Sequence, residues 1–541
     1  MSSYLPDLNP TTTGRVHGSD TKRQSREERA EDIQDQRAKY EQSMFGVSSN
    51  GDRTFSHVRT NVPVNSESEA GLNRNEEGSF YSYNSTRDVR LFVKEMHGRI
   101  WNSMNETYLL PSDDMEWNRL DKQHLAHLIG LGGLYPCAEQ VEAVLAPVEG
   151  TTKRILDVGC GTGSWILEMA ERFPHALAMG VDLAPTPFDT SLFPSNLRIE
   201  IDDINLGLCH FYGQFDLVHM RCVLGGIQNI DKTLADLFLC LNPGGMLIIV
   251  DGGSHFLSDP GTIGRMRRVH GDEADATATS EDGSWLNRLH WEASQGCKIA
   301  GASVDRSQEV LSGGLWDQSL CEQESVASGS YFLPIGPWAQ GNNVAQTQQL
   351  HYGGLLMRQS LMSIHRAFHS ILLRHGMTQD VLDAWSQEID QELNTSRCKS
   401  WVRFHFNVAR RRLEQDSTPG VNSERSLPRI EPRPRDENSY PAFEIFYDKE
   451  TARATAAKRE ETIGKLPTAC VSTPVLEDIN HGQQPPRYGI RLPVGERQLG
   501  HCRVVEATDE RYHGNKDVEV PIPFHSAASS NEVIRVQLPT P

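Results

Sequence analysis

From Arg154 to Asp251 the sequence alternates short apolar runs with amphipathic stretches, and its first junction, "RILDVGCGTGSW", sets three glycines at alternate positions behind an apolar run. Strand-like "RILDV", "ALAMGVD", "LRIEI", "FDLVHM" and "MLIIVD" are interleaved with helix-like "SWILEMAERF" and "IDKTLADLFLCL". Near-continuous apolar strands separated by amphipathic helices predict a mostly parallel sheet covered by helices on both faces. In such sheets ligands sit at the carboxyl ends of the strands, beside the point where strand order reverses. Further strands are expected at "GGLWDQSL" and "SGSYFLPIG", closing the far edge, with helices following through "TQQLHYGGLLMRQSLMSIHRAFHSILLRHG" and "TQDVLDAWSQEIDQEL". Ahead of the sheet, residues 88–108 and 120–146 carry helical periodicity.

The flanks read differently. Residues 1–79 are rich in Ser, Asn, Asp, Glu and Arg, and cannot bury enough apolar surface to offset their ordering entropy. Within them "REERAEDIQDQRAKYEQSMF" is charged nearly all round, as a solvated helix would be. From Pro419 to Pro541 the chain holds 14 of its 28 prolines, a density that prevents long helices and central strands. Only "YPAFEIFY" and "KETARATAAKREE" interrupt that tail. The expected organisation is therefore a disordered tail over 1–79, a helical lid segment over 80–150, a catalytic-type domain with a substrate-side insertion over 151–415, and a Pro-rich, mostly disordered tail over 416–541.

Whole-chain composition narrows the function classes. With 541 residues, 38% apolar, a mean hydropathy of −0.49 and a net charge of −19, the chain has no strong nucleic-acid signal, since phosphate backbones call for a basic surface. Ten scattered cysteines without a C-x-x-C pair fit reduced intracellular thiols, and no metal site is readable. No apolar run reaches membrane-spanning length and the start lacks a signal pattern, so the expectation is a soluble intracellular protein, cytoplasmic or nuclear. "HRAFH" lacks the glutamate of the metalloprotease helix, and no G-x-S-x-G elbow supports a serine hydrolase.

Gly159, Gly161 and Gly163 lack Cβ atoms, so the backbone turns sharply and a ligand can lie against it, with Asp157 two residues before and Cys160 between. The spacing is G-x-G-x-G, whereas a dinucleotide fingerprint puts its third glycine one place later for a pyrophosphate. A ligand without phosphates is implied. Asp182, followed by Leu183, ends the next strand nineteen residues beyond Gly163, where a carboxylate accepts both hydroxyls of a ribose. On the third strand Asp202 and Asp203 precede Ile204, placing an acceptor for an adenine amino group beside an amide for a ring nitrogen. Together these describe a cationic amino-acid portion, a ribose and an adenine.

The glycine motif, the acid closing the second strand, "FDLVHMR" and "LNPGGMLIIVD" resemble the class I S-adenosyl-L-methionine-dependent methyltransferases. With "YLLPSDDMEWNRLDKQH" before the core and "YFLPIGPW" after it, the stretch from about 80 to 412 is similar to the fungal LaeA-like methyltransferases, including those associated with velvet-type regulators of secondary metabolism. The resemblance implies an α/β, Rossmann-like class I fold with a mostly parallel seven-stranded sheet, an N-terminal helical lid and disordered tails. It implies transfer of a methyl group from S-adenosyl-L-methionine to a small molecule or a protein, and regulatory protein partners. The alternative is a cofactor-binding scaffold of a velvet-like complex with little turnover. Two departures stand out: Ile204 and "NLGL" replace the family's alanine and tryptophan after the paired aspartates, and "VDGG" replaces a glutamine-glutamate pair after the fifth strand.

Methyl transfer is an in-line displacement at carbon, so alignment is the protein's main task. A base is needed only when the acceptor arrives protonated. His219, on the strand end next to Met220, is either that base or a hydrogen-bonding support of the cofactor pocket. Arg221 either holds an acidic substrate or pairs with a local carboxylate. In the front segment Tyr108, Arg119 and His124 are expected to fold over the cofactor, Arg119 taking its carboxylate by a bidentate contact, while Ser112 or Asp113 caps the helix beginning there.

Overall fold

The computed structural model describes residues 92–472 except 97, 188–191, 274–275, 396, 398 and 414–435, together with the strands Ser56–Thr60 and Ser79–Ser82. In chain order the strands are β1 (Ser56–Thr60), β2 (Ser79–Ser82), β3 (Val93–Met96), β4 (Arg99–Asn102), β5 (Arg154–Val158), β6 (Leu177–Asp182), β7 (Leu197–Ile201), β8 (Phe215–Arg221), β9 (Leu241–Gly252), β10 (Leu257–Asp259), β11 (Thr262–Ile263), β12 (Met266–Arg267), β13 (Thr279–Ser280), β14 (Cys321–Pro334), β15 (Trp401–Arg411) and β16 (Phe443–Phe446). The α-helices are α1 (Asp114–Leu131), α2 (Ala138–Leu145), α3 (Ser164–Arg172), α4 (Ile230–Cys240), α5 (Trp285–Ile299), α6 (Val304–Gly313), α7 (Val344–Ala367), α8 (His369–Arg374), α9 (Gln379–Thr395) and α10 (Lys449–Glu460).

The seven core strands run β7-β6-β5-β8-β9-β15-β14. The first five are mutually parallel, and β15 lies antiparallel between β9 and β14. Strand order reverses at β5, so the carboxyl ends of β5 and β8 diverge and open a crevice. Period-two alternation divides these strands between two cores: Ile155, Leu217 and Ile248 face one side with Trp165, Ile166 and Met169 of α3, while Leu156, Val218 and Ile249 face the other with Leu234, Leu237 and Phe238 of α4. Each such side chain contributes roughly 1.5–3 kcal/mol on burial. The methyltransferase-type sheet expected from the sequence is thus present, and it is wider than seven strands.

Several expectations are corrected. "GGLWDQSL" is not a strand: Gly314 turns the chain at φ 79° after α6, Leu315 and Trp316 sink into the second core, and β14 begins only at Cys321. Within the helix expected over 88–108, the described residues from Phe92 on hold the β3–β4 hairpin about Gly98 (φ 69°). The last core strand in chain order is β15, which sits between β9 and β14 and carries no apolar run that marks it in the sequence. Its polar residues Arg403, His405 and Asn407 are 4%, 3% and 0% exposed, and Asn407 donates to the carbonyl of Leu311 at 2.9 Å. Polar residues at alternate positions read as a solvated edge, whereas α6 and the C-terminal segment cover them.

Parts of both flanks join the sheet. β1 pairs in parallel with β7, and β2 pairs antiparallel with β1, so β7 is not left as an open sheet edge. Residues 436–472 pack on the domain: β16 pairs with β14, and the hydroxyl of buried Tyr440 donates to the carbonyl of Phe332 at 2.6 Å. The interruptions expected at "YPAFEIFY" and "KETARATAAKREE" are β16 and α10, while the rest of both tails, the charged helix included, lies outside the described residues. Among the described residues no helix is long and apolar enough to cross a membrane.

Candidate active site

The glycine turn joins β5 to α3. Gly159, Gly161 and Gly163 take φ of 72°, 57° and 83°, left-handed conformations that side chains rarely adopt. The amides of Gly159 and Cys160 both donate to the carbonyl of Val181, at 2.8 and 2.9 Å, and so fasten the turn to β6. A Cβ on Gly159 would collide with Val223. At the end of β6, Asp182 receives the amides of Gly161 (2.8 Å) and Ala184 (3.1 Å) on its two oxygens. Burial pushes its carboxyl up to about 6 against those bonds.

These groups face a cleft of about 900 Å³, counted to its open mouth, which brings together Tyr108, Asp157, Gly159, Cys160, Gly161, Asp182, Leu183, Asp202, Asp203, Ile204 and His219. Asp203 turns its carboxylate to the amide of Asn205 at 3.0 Å, shaping the loop after β7. Beside that loop, burial opposes charge on His210, but hydrogen bonds to Cys209 and Glu200 and the charges of Glu200 and Asp202 raise it to about 9. This histidine is an ion-pair partner for Glu200 (3.2 Å) and Asp202 (3.6 Å).

Register explains His219. It is the β8 partner of Asp157 on β5, and its Nδ1 lies 2.7 Å from Asp157 Oδ1. A carboxylate accepts only, so Nδ1–H donates and Nε2 keeps the ring's lone pair. The imidazole stacks on Trp165 with centroids 3.7 Å apart and planes 12° from parallel, and the indole is itself fixed by donating to the carbonyl of Leu134 at 2.8 Å. Burial lowers the imidazole's pKa despite the neighbouring Asp157. At the cleft wall Arg221 donates to His124 Nδ1 (2.9 Å), whose Nε2–H serves Glu168 (2.8 Å).

Three expected contacts lie elsewhere. Gly163 forms the N-cap of α3 without lining the cleft. Met220, 1% exposed, points to the opposite face of β8 and packs in the second core, because neighbouring strand residues alternate sides. Arg119 is held by Glu116 of its own helix, at 2.9 and 2.7 Å, and by Ser360 at 3.2 Å. It therefore faces a second cavity. The cap of α1 is Asp113, which accepts from the amide of Glu116 at 3.1 Å.

That second cavity, about 1240 Å³ to its mouth, meets the first at Tyr108, Gln123 and Cys222. Cys222 is the one non-glycine with positive φ (57°) among the described residues, and Asp251 at the end of β9 holds the following loop by accepting the amides of Val223 and Leu224, each at 2.9 Å. Such a conformation outside glycine is a strain typical of functional sites. Trp165, Gln123, Cys222 and Asp251 carried no motif that singled them out. Only the "VDGG" departure touched Asp251.

Comparison with known proteins gives the family. The pattern of a methyltransferase domain family matches residues 133–304. The chain is 40% identical over 320 residues to the secondary metabolism regulator laeA of Coprinopsis cinerea, covering 59% of this chain and 74% of that one. It is 26% identical over 343 residues to the protein-methionine methyltransferase laeA of Emericella nidulans (60% and 79% covered), and 26% over 301 residues to the methyltransferase pytC of Aspergillus terreus (55% and 79%).

Proposed function

The chain belongs to the LaeA-like family of methyltransferases, and on that premise we propose that it binds S-adenosyl-L-methionine in the cleft at the carboxyl edge of the sheet and methylates an acceptor presented beside it. One observation carries the reading: the side-chain-free turn at Gly161 and the carboxylate of Asp182 face the same cleft and are hydrogen-bonded to each other. The turn leaves room for the methionine portion on the main chain. Asp182, which carries no ion pair among the described residues, accepts the ribose hydroxyls, and the Asp202–Ile204 loop meets the adenine. Arg221 lines the cleft and its Nη1 has no hydrogen-bond partner among the described residues, so it takes the cofactor carboxylate in place of Arg119.

The cofactor supplies an electrophilic methyl on a cationic sulfur. His219 is a positioning residue in this reading: wedged between Asp157 and Trp165, it shapes the cleft and does not line the second cavity. Calorimetry with S-adenosylmethionine, S-adenosylhomocysteine and NAD tests the cofactor, and tritiated methyl transfer into cell extract tests turnover. Binding of both sulfur nucleosides but not NAD, with label transferred, is the expected result. Binding without transfer supports a scaffold, and no binding overturns the proposal.

A further inference from the structure

Three cavities lie in a row, and Tyr108 lines all of them. Outside the cofactor cleft and the second cavity is a third, of about 880 Å³, between the β3–β4 hairpin and α8, with Trp101, Leu109 and Leu373 among its walls. Leu109 lines both the second and the third. The segment Tyr108–Leu110 therefore stands between an outer vestibule and an inner chamber whose far end opens onto the cofactor cleft.

The chamber's walls come from separate elements: Phe256, Ala293, Ile364, Phe368 and Phe404 are apolar, and no cation there is unpaired, because Arg119 is neutralised by Glu116. His290 is neutral, its pKa lowered to about 4 by burial, and its Nδ1 faces the carbonyl of Ser254 at 3.3 Å. Such a lining rejects anions, whose desolvation no unpaired cation offsets. Gln123 and Cys222 line both cavities, and Asp251 in the chamber wall accepts three backbone amides, those of Val223, which lines the cofactor cleft, of Leu224, and of Gly252 at 2.7 Å.

Resting on the cofactor reading above, we infer that the second cavity is the acceptor chamber and takes a neutral, largely apolar small molecule carrying one hydroxyl, which enters past Tyr108–Leu110 and gives its proton to Asp251. The hydroxyl oxygen forms the new bond to the methyl carbon as the carbon–sulfur bond breaks. The electron pair of that bond stays on sulfur, which becomes a neutral thioether, and the hydroxyl proton passes to the Asp251 carboxylate. No further reactant is required. Burial lifts the Asp251 carboxyl to about 6 despite its amide donors, which suits a base working near neutrality.

The test uses the full chain saturated with S-adenosylhomocysteine and 2-naphthol as the probe. Saturable naphthol binding is expected, weakened at least about tenfold by Ile364→Trp or by Ala293→Phe, each of which fills the chamber, while homocysteine-nucleoside affinity stays unchanged. With S-adenosylmethionine present, Asp251→Asn is expected to lower kcat at least about tenfold with KM little altered, and to remove the acidic limb of the pH–rate profile. Naphthol binding that is absent, or equal in the wild type and both filled variants, overturns the chamber. So does methyl transfer to a peptide methionine without naphthol binding. An unaltered pH profile in Asp251→Asn overturns the proton's destination. Loss of S-adenosylhomocysteine binding in the wild type is a different failure, that of the cofactor reading itself.

Discussion

The cofactor cleft is built around the glycine turn and residues at consecutive strand ends, within 157–227 apart from the front segment Tyr108, Leu120, Gln123, His124 and His127. The chamber beside it is bounded by side chains gathered from residue 108 to residue 404, across two helical regions and β15. A backbone-built site depends on a few conformations that only glycine tolerates. A side-chain-built one depends on packing, and its composition can drift while the sheet beneath it stays the same. On the proposed reading the first holds the cofactor and the second the acceptor.

Substitutions break this contrast from either side. The largest effect is expected at the Arg119–Glu116 pair, whose side chains are 4% and 2% exposed. Glu116→Ala leaves a buried guanidinium uncompensated, and destabilisation of about 3–5 kcal/mol should appear in denaturant unfolding. Next comes Gly159→Ala: the left-handed φ of 72° and the collision with Val223 together cost roughly 2–4 kcal/mol. Cofactor affinity should fall with it, whereas Glu116→Ala should act on the chamber first.

The sheet and the cofactor cleft were legible because their signals are local. Asp157, the glycines and Asp182 sit at fixed distances from apolar runs whose period is plain. β15 was not legible, since Arg403, His405 and Asn407 alternate like solvent-facing residues and are buried only because distant segments cover them. Arg119 looked like a cofactor clamp in sequence, yet Glu116, one helical turn before it, claims its guanidinium. Nothing in the chain order announces that residues 123, 222 and 251 meet, and Cys222 lacks the glycine that would have marked its backbone. The helix at 449–460 was readable from composition, but its docking was not.

Protonation gives a smaller, graded effect. Binding of ribose hydroxyls favours the ionised Asp182, so cofactor affinity should decline as pH falls through about 6, by up to about tenfold per pH unit. The sign for folding is opposite. Because burial raises this carboxyl above its ordinary value of 3.8, the ligand-free protein loses the corresponding stability as pH rises from about 4 to about 6. Asp157 contributes in the same direction by its charge, and Asp157→Asn should narrow that window. Parallel calorimetric and thermal-unfolding series across pH 4.5 to 7.5 would separate the two slopes, with the pH span chosen to bracket roughly the ordinary carboxylate range and neutrality. The smallest effect serves as a control. Arg306–Asp231 repeats the chemistry of the buried pair at the surface, with both side chains about half exposed, and Arg306→Ala should cost under about 1 kcal/mol.

The central claim is that a carboxylate at the end of β6 grips the sugar of a nucleoside lying on the glycine turn. Titration calorimetry of S-adenosylhomocysteine into the wild type and Asp182→Ala addresses it directly, with unfolding curves showing that both are folded. The account predicts binding to the wild type and a loss of at least about tenfold in the variant, the equivalent of roughly 1.4 kcal/mol. Equal affinity in two folded proteins would contradict it.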